Sequence, residues 1–251
     1  MSVEPVVSVI MPNYNGARFV KEAIESVLKQ TFSDFELVVI DDCSKDESPE
    51  IIRGIAHRDS RIRLIESEQN RGVAETRNEG IRQARGKYIA LLDNDDIWTP
   101  DKLERQMALA EKGADIVYCS YAFMDEQGTE IKKPFVVPEK TDFQAMLAVS
   151  VISCSTALIK APLLKEHLFQ PEYYHEDYVL WMELLKIPCV ARGDKKVLAY
   201  YRQVSGSRSN KKWNAAKERW NTYRKALGMG VITSAWAFAR YAVCAVLKYY
   251  F

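Results

Sequence analysis

The chain has 251 residues, 47% apolar and 27% charged, which suits one α/β domain with a modest extension and excludes a multidomain assembly, general disorder and a collagen-like repeat. Its five cysteines are odd in number and lack a CxxC pair, and its three histidines show no HExxH spacing. A disulfide framework, a zinc site and a histidine-ligated metal are therefore not expected, and a reducing compartment is.

The formal charge of +1 conceals an asymmetry. Residues 1–194 hold 23 basic and 33 acidic groups, whereas Lys195–Phe251 holds twelve basic groups and one acid, Glu218. A basic tail of this kind suits an anionic partner, either nucleic acid or a membrane surface. No RNA or DNA motif accompanies it, so a nucleic-acid partner is set aside. The start, MSVEPVVSVIMP, has no basic segment followed by a long apolar stretch, and no window offers about twenty uncharged apolar residues. Neither a secretion signal nor a spanning helix is expected.

Short apolar runs at Val6–Met11, Phe35–Ile40, Ile62–Glu66 and Tyr88–Leu92 predict buried parallel strands. Between them, Phe19, Ala23, Ile24, Val27 and Leu28 form one helical stripe, and Val73, Arg77, Gly80, Ile81 and Ala84 a second. Strand–helix–strand repetition predicts an α/β fold, a mostly parallel sheet with helices on both faces. A fifth strand at Asp115–Cys119 leads into a hairpin turn at Asp125–Gly128. Helices are predicted near Asp142–Val149 and Glu176–Lys186, two short strands at Cys189–Arg192 and Val197–Arg202, and a helical segment from Lys211 to the end.

In open α/β sheets ligands bind beyond the carboxyl ends of the strands, and three such ends here are polar. The first carries Pro12-Asn13-Tyr14-Asn15, where an aromatic ring can stack on a base. The second carries Asp41-Asp42; a carboxylate there can accept from a base or ribose, while Asp42 or Ser44 suits a helix N-cap. The fourth carries Asp93-Asn94-Asp95-Asp96. Three clustered carboxylates repel one another unless a cation sits among them, and Mg²⁺-like ions are commonly shared between carboxylates and substrate phosphates.

These segments together resemble the family 2 glycosyltransferases of the GT-A fold, in the subgroup that builds bacterial surface polysaccharides such as O-antigen, capsule or teichuronic acid. The resemblance is carried by VSVIMPNYN, LVVIDDCSKD, NRGVAETRNEGIRQARGKYIALLDNDD, HEDYVLW and YRQVSGSRS, and spans most of residues 5–210. It implies that Pro12, Tyr14, Asn15 and Asp41 hold the uridine of a UDP-sugar, with Arg77 near the diphosphate. Asp93 and Asn94 would lie on the ribose or sugar side. Asp95, with Asp93, would bind Mn²⁺ or Mg²⁺. Asp177 would be the base of an inverting transfer, flanked by Glu176 and His175, at a helix start whose dipole favours a carboxylate. A lipid-linked glycan is the implied acceptor.

Many relatives have a histidine after the YR pair; here Gln203 follows Tyr201-Arg202, and Arg202 or Arg208 is the replacement contact for the diphosphate. The expected organisation is a catalytic domain over 1–205, its nucleotide-sugar half 1–119 and acceptor half 120–205, followed by basic amphipathic helices over 206–251. Ile232, Trp236, Ala239, Val243, Leu247 and Tyr250 recur at three- and four-residue steps among basic flanks. Such a stripe suits peripheral attachment to the inner face of the cytoplasmic membrane, or a homodimer through these helices. The competing functions are a non-catalytic nucleotide-sugar sensor and a haloacid-dehalogenase-type phosphatase, whose motif would end the first strand rather than the fourth.

Overall fold

A computed structural model describes residues 4–204 and 212–250. The first half runs β1 (Val7–Asn13), α1 (Val20–Leu28), β2 (Phe35–Asp41), α2 (Ser48–Ala56), β3 (Ile62–Glu66), α3 (Val73–Gln83) and β4 (Tyr88–Leu91). These four strands are parallel, in the order β3-β2-β1-β4. Next come β5 (Ile97–Trp98), α4 (Lys102–Ala110), β6 (Ile116–Met124), β7 (Glu130–Phe135), β8 (Lys140–Thr141), α5 (Phe143–Ala148) and a 3₁₀ turn, Cys154–Thr156. The chain continues through β9 (Leu158–Lys160), α6 (Ala161–Glu166), α7 (Glu176–Leu184), β10 (Ala191–Arg202), α8 (Lys212–Asn221), a π-helical turn (Thr222–Ala226) and α9 (Val231–Tyr250).

Strands β1, β2 and β4 read as largely apolar runs because both faces are covered, whereas the edge strand β3 carries Arg63 and Glu66 and is half-exposed. Along β2, Phe35, Leu37 and Val39 meet the layer of α1, α2 and α4, while Val38 and Ile40 meet the layer containing α3 and α7. Helix α3 lies so close to the sheet that a Cβ on Gly80 would strike Ile10 and Ile40. From β1 the chain steps outward through β2 and β3, then returns to pair β4 on the other side of β1. That reversal opens a crevice beyond the ends of β1 and β4.

Beyond β4 the sheet becomes mixed. Strand β9 is antiparallel to both β4 and β6, and β6 runs parallel to β10. The two strands predicted at 189–202 are one, β10; register shifts between Asp194 and Ala199 let it carry the polar residues that suggested a gap. The C-terminal helical reading breaks at Gly228, which has a left-handed φ of 62°. Lys211 and Arg208 lie outside the described residues. Among those described, no helix is long and apolar enough to cross a membrane.

Helix α9 packs against α5 through Ala237, Phe238 and the buried Ser234. Two tail residues are internal: Tyr223 donates to Leu147 O at 2.8 Å, and the Arg219 guanidinium stacks on Tyr178 at 3.6 Å. Of the predicted apolar stripe, Ile232, Trp236 and Val243 face outward, 86%, 55% and 59% exposed.

Sequence reading passed over Lys102, which is fully buried on α4, with Nζ 2.7 Å from Gln106 Oε1 and 3.7 Å from the Trp98 ring centroid. Burial pulls its pKa down to about 8 from 10.5. Between those values the unfolded chain holds a proton that the folded chain has lost, so this group adds stability as pH rises. The urea midpoint of the native chain should therefore gain on that of Lys102→Met between pH 7.5 and 9.5. Parallel pH profiles would assign the lysine no part in stability.

Candidate active site

A cleft of about 660 Å³ lies over the ends of β1 and β4. Pro12, Asn13, Tyr14, Asp42, Asn70 and Gly72 form one wall, and Arg77, Asp93, Asn94 and Asp95 line it as well. Tyr121, Phe123, Tyr201, His175, Glu176 and Asp177 close the other side.

The first wall is built from a buckle that sequence reading missed. Flush pairing of β1 with β2 sets Asn13 beside Asp41. Asn13 Nδ2 donates to Asp41 Oδ1 at 2.7 Å and to Ser48 Oγ at 2.9 Å, while its Oδ1 accepts from Asn94 Nδ2 at 2.7 Å. One buried amide thus joins the loops after β1, β2 and β4. Asp41 also accepts from the Ser44 backbone and hydroxyl at 2.9 and 2.6 Å. Its carboxylate is turned inward, and the acid on the cleft surface is its neighbour Asp42.

Asp42 accepts from the Arg71 and Gly72 amides, both at 2.8 Å, and so fixes the loop that opens α3. Gly72 has φ 82°, a left-handed turn that favours glycine. Neither Asp42 nor Ser44 caps a helix as expected. Glu47 stands at the N-cap of α2 without a side-chain bond, and Asp46 just before it accepts from Ser48 N at 3.0 Å. Tyr14 is half-exposed on the cleft rim. Asn15 stands outside the lining, its Oδ1 accepting from Lys45 N at 2.8 Å.

The acidic cluster divides into three roles. Asp93 Oδ1 lies 2.6 Å from Arg77 Nη2, and the other side of the same buried guanidinium, Nη1, lies 3.2 Å from Glu176 Oε1. Burial alone would pull the Arg77 pKa down; Asp93, Cys154 and Glu176 outweigh it, and the net shift is upward. Asp96 is buried away from the cleft, accepting from Ser155 Oγ at 2.5 Å and Arg202 N at 2.9 Å. Asp95 faces the cleft, where burial and then the neighbouring Asp93 push its carboxyl up to about 6.

Among the described residues, no three acidic, histidine or cysteine groups converge on one cation position. The arrangement fits a cation held by one or two carboxylates, with phosphate and water completing its shell. The raised Asp95 carboxyl fits that use, because its negative charge is incompletely balanced by protein groups. Asp95, aided by Asp93, would hold the ion, and Asp96 is structural.

Arg202 does not reach the cleft. Its Nε donates to Asp95 O at 2.8 Å, its Nη2 pairs with Glu22 at 2.6 Å, and the guanidinium stacks on Phe19 at 4.6 Å. It therefore braces the Asp95 loop from behind. Helix α7 begins at Glu176, with Asp177 in its first turn. Asp177 lines the cleft, and its Oδ1 accepts from Tyr178 N at 2.7 Å.

Residues 8–168 match the model described as "Glycosyl transferase family 2". The chain belongs to that family. It is 34% identical over 246 residues to the "Putative teichuronic acid biosynthesis glycosyltransferase TuaG" of Bacillus subtilis (strain 168), covering 98% of each chain. It is 35% identical over 220 residues to the "UDP-Glc:alpha-D-GlcNAc-diphosphoundecaprenol beta-1,3-glucosyltransferase WfgD" of Escherichia coli, covering 86% of this chain and 84% of that one. The fold matches S. aureus TarS 1-349 in complex with UDP-GlcNAc at a TM-score of 0.73 and 20% identity, over 94% of this chain and 71% of that one. It also matches the mannosyltransferase PcManGT from Pyrobaculum calidifontis at 0.70 and 20%, over 98% and 75%. The architecture is the GT-A fold, and the chain is a glycosyltransferase.

Proposed function

We propose that the chain transfers a hexose from a UDP-sugar, with inversion, to a glycan on a lipid diphosphate during bacterial surface polysaccharide synthesis. The observation that carries this reading is the sharing of one cleft by Asp177 and the Asp93-Asn94-Asp95 loop. The substrates named for WfgD support the choice of donor and acceptor. Asp177 takes the proton of the acceptor hydroxyl as that oxygen attacks the anomeric carbon, while the carbon–oxygen bond to the diphosphate breaks and its electron pair leaves with UDP. A divalent ion at Asp95 and Asp93 would supply charge neutralisation for that leaving group. Tyr14 stacks on the base, the Asp42-fixed loop carries the ribose side, and the Asn13 buckle holds both in register. The division into a nucleotide-sugar half, 1–119, and an acceptor half, 120–205, follows from this placement.

A panel of UDP-, GDP- and dTDP-sugars, assayed for hydrolysis with Mn²⁺, tests the donor. Turnover confined to UDP-hexoses is expected. Binding without hydrolysis or transfer would instead favour a nucleotide-sugar sensor, and release of phosphate from a phosphomonoester would favour the phosphatase.

The outward-facing Ile232, Trp236 and Val243 of α9, with the exposed Lys217 and Lys225 nearby on the tail, suit attachment to the cytoplasmic leaflet where a lipid-linked acceptor is held. Each basic side chain near an anionic surface contributes roughly 1 kcal/mol. The full chain should co-sediment with anionic vesicles, less so in high salt, and truncation after Asn210 should abolish it. Equal partitioning of both forms would make the tail structural, and dimerisation lost on truncation would assign the stripe to a second copy.

A further inference from the structure

The cleft wall on the β6–β10 side is aromatic. Tyr121 and Phe123 alternate onto one face of β6, and the parallel register sets Tyr201 of β10 beside Phe123. Their ring centroids lie 5.2, 6.1 and 6.4 Å apart with the rings inclined at 67°, 74° and 54°, so they form an aromatic corner of faces and edges, and Phe135 of β7 backs Tyr121 at 5.4 Å. All three residues line the cleft and are half-buried. At the rim stands Lys132, cross-strand partner of Phe123. Its Nζ lies 5.2 Å from the Phe123 centroid and donates to Gln203 Oε1 at 2.9 Å. An aromatic platform edged by a positioned cation matches a ligand that is apolar on one ring face and anionic at one end.

Resting on the transferase reading above, we infer that Tyr121, Phe123 and Tyr201 form the acceptor-sugar platform and that Lys132 takes the phosphate attached to that sugar. The axial C–H bonds of a pyranose present partial positive charge to the negative ring faces. The Lys132 ammonium is a point charge on a flexible stem, suited to a phosphate whose position varies with linkage. Because Asp177 lines the same cleft, a sugar seated on the rings presents its hydroxyl edge toward the base while its phosphate points outward along β7. This fixes the direction in which the acceptor enters: reducing end toward the β6–β7 hairpin.

The test uses initial-rate kinetics with two acceptors, N-acetylglucosamine α-linked to a short-chain lipid diphosphate and the uncharged octyl glycoside of the same sugar. Lys132→Ala should raise KM for the diphosphate acceptor about tenfold and leave that for the neutral glycoside unchanged. Tyr201→Ala should raise KM for both acceptors by about fivefold to tenfold, and Tyr201→Phe should restore it. Donor KM should stay at the native value in all three variants, and unchanged thermal midpoints show that they fold. Equal effects of Lys132→Ala on both acceptors, or no effect on either, would overturn the phosphate contact. A Tyr201→Ala defect in donor KM rather than acceptor KM would overturn the platform. Failure of the native chain to transfer to either acceptor would overturn the parent reading, and this inference with it.

Discussion

Asp177→Asn is expected to lower turnover by about 10²–10⁴-fold while leaving UDP-sugar affinity unchanged, because the amide keeps the shape of the carboxylate and cannot take the proton. The structure separates this acid from its neighbour. Both line the cleft, but Glu176 is tied to the buried Arg77. Stopped-assay kinetics together with calorimetric titration of the donor give both quantities. Turnover within about threefold of native would move the base to Glu176.

Asp95→Asn is expected to lose transfer by an order of 10³-fold and to lose the strengthening of UDP binding by Mn²⁺, since an ion at a leaving diphosphate is worth several kcal/mol. The same change should make the metal-free protein more stable at pH 7.5. Burial, then Asp93, raises the Asp95 carboxyl from 3.8 to about 6. Above pH 6 the folded chain therefore bears an ionised group that the unfolded chain solvates better, and the native protein loses stability as pH rises from about 4 through 6. Asn carries no such charge, so its advantage in thermal midpoint should vanish below about pH 4. Titration of UDP with and without Mn²⁺, alongside melting curves across pH, checks both claims. An unchanged Mn²⁺ effect in the variant would remove Asp95 from the metal site.

Strands β1, β2 and β4 were legible because burial on both faces leaves a largely apolar run, as in Val38-Val39-Ile40. Strands β5 and β8, with two residues each, and β9, with three, leave no periodic trace. Helix α6, of six residues, is missed for the same want of length, whereas α2 is missed although it equals α1 in length. At the site, the acidic segment after β4 was visible as composition, but its division was not. Only tertiary pairing turns Asp96 to Ser155, Asp93 to Arg77 and Asp95 to the cleft. Adjacent strand-end residues point to opposite sides, so choosing between Asp41 and Asp42 needed the register with Asn13. The tail stripe was readable from spacing, whereas which face α5 would cover was not.

The Arg77 bridge has a consequence for how such enzymes diversify. By clasping Asp93 and Glu176 it would, on the proposed reading, make the span between bond breaking and proton removal a constant of the scaffold. The β6–β7 hairpin contributes nothing to that clasp. Transplanting the hairpin between relatives should therefore exchange acceptor preference as a cassette, with donor choice inherited intact from the recipient.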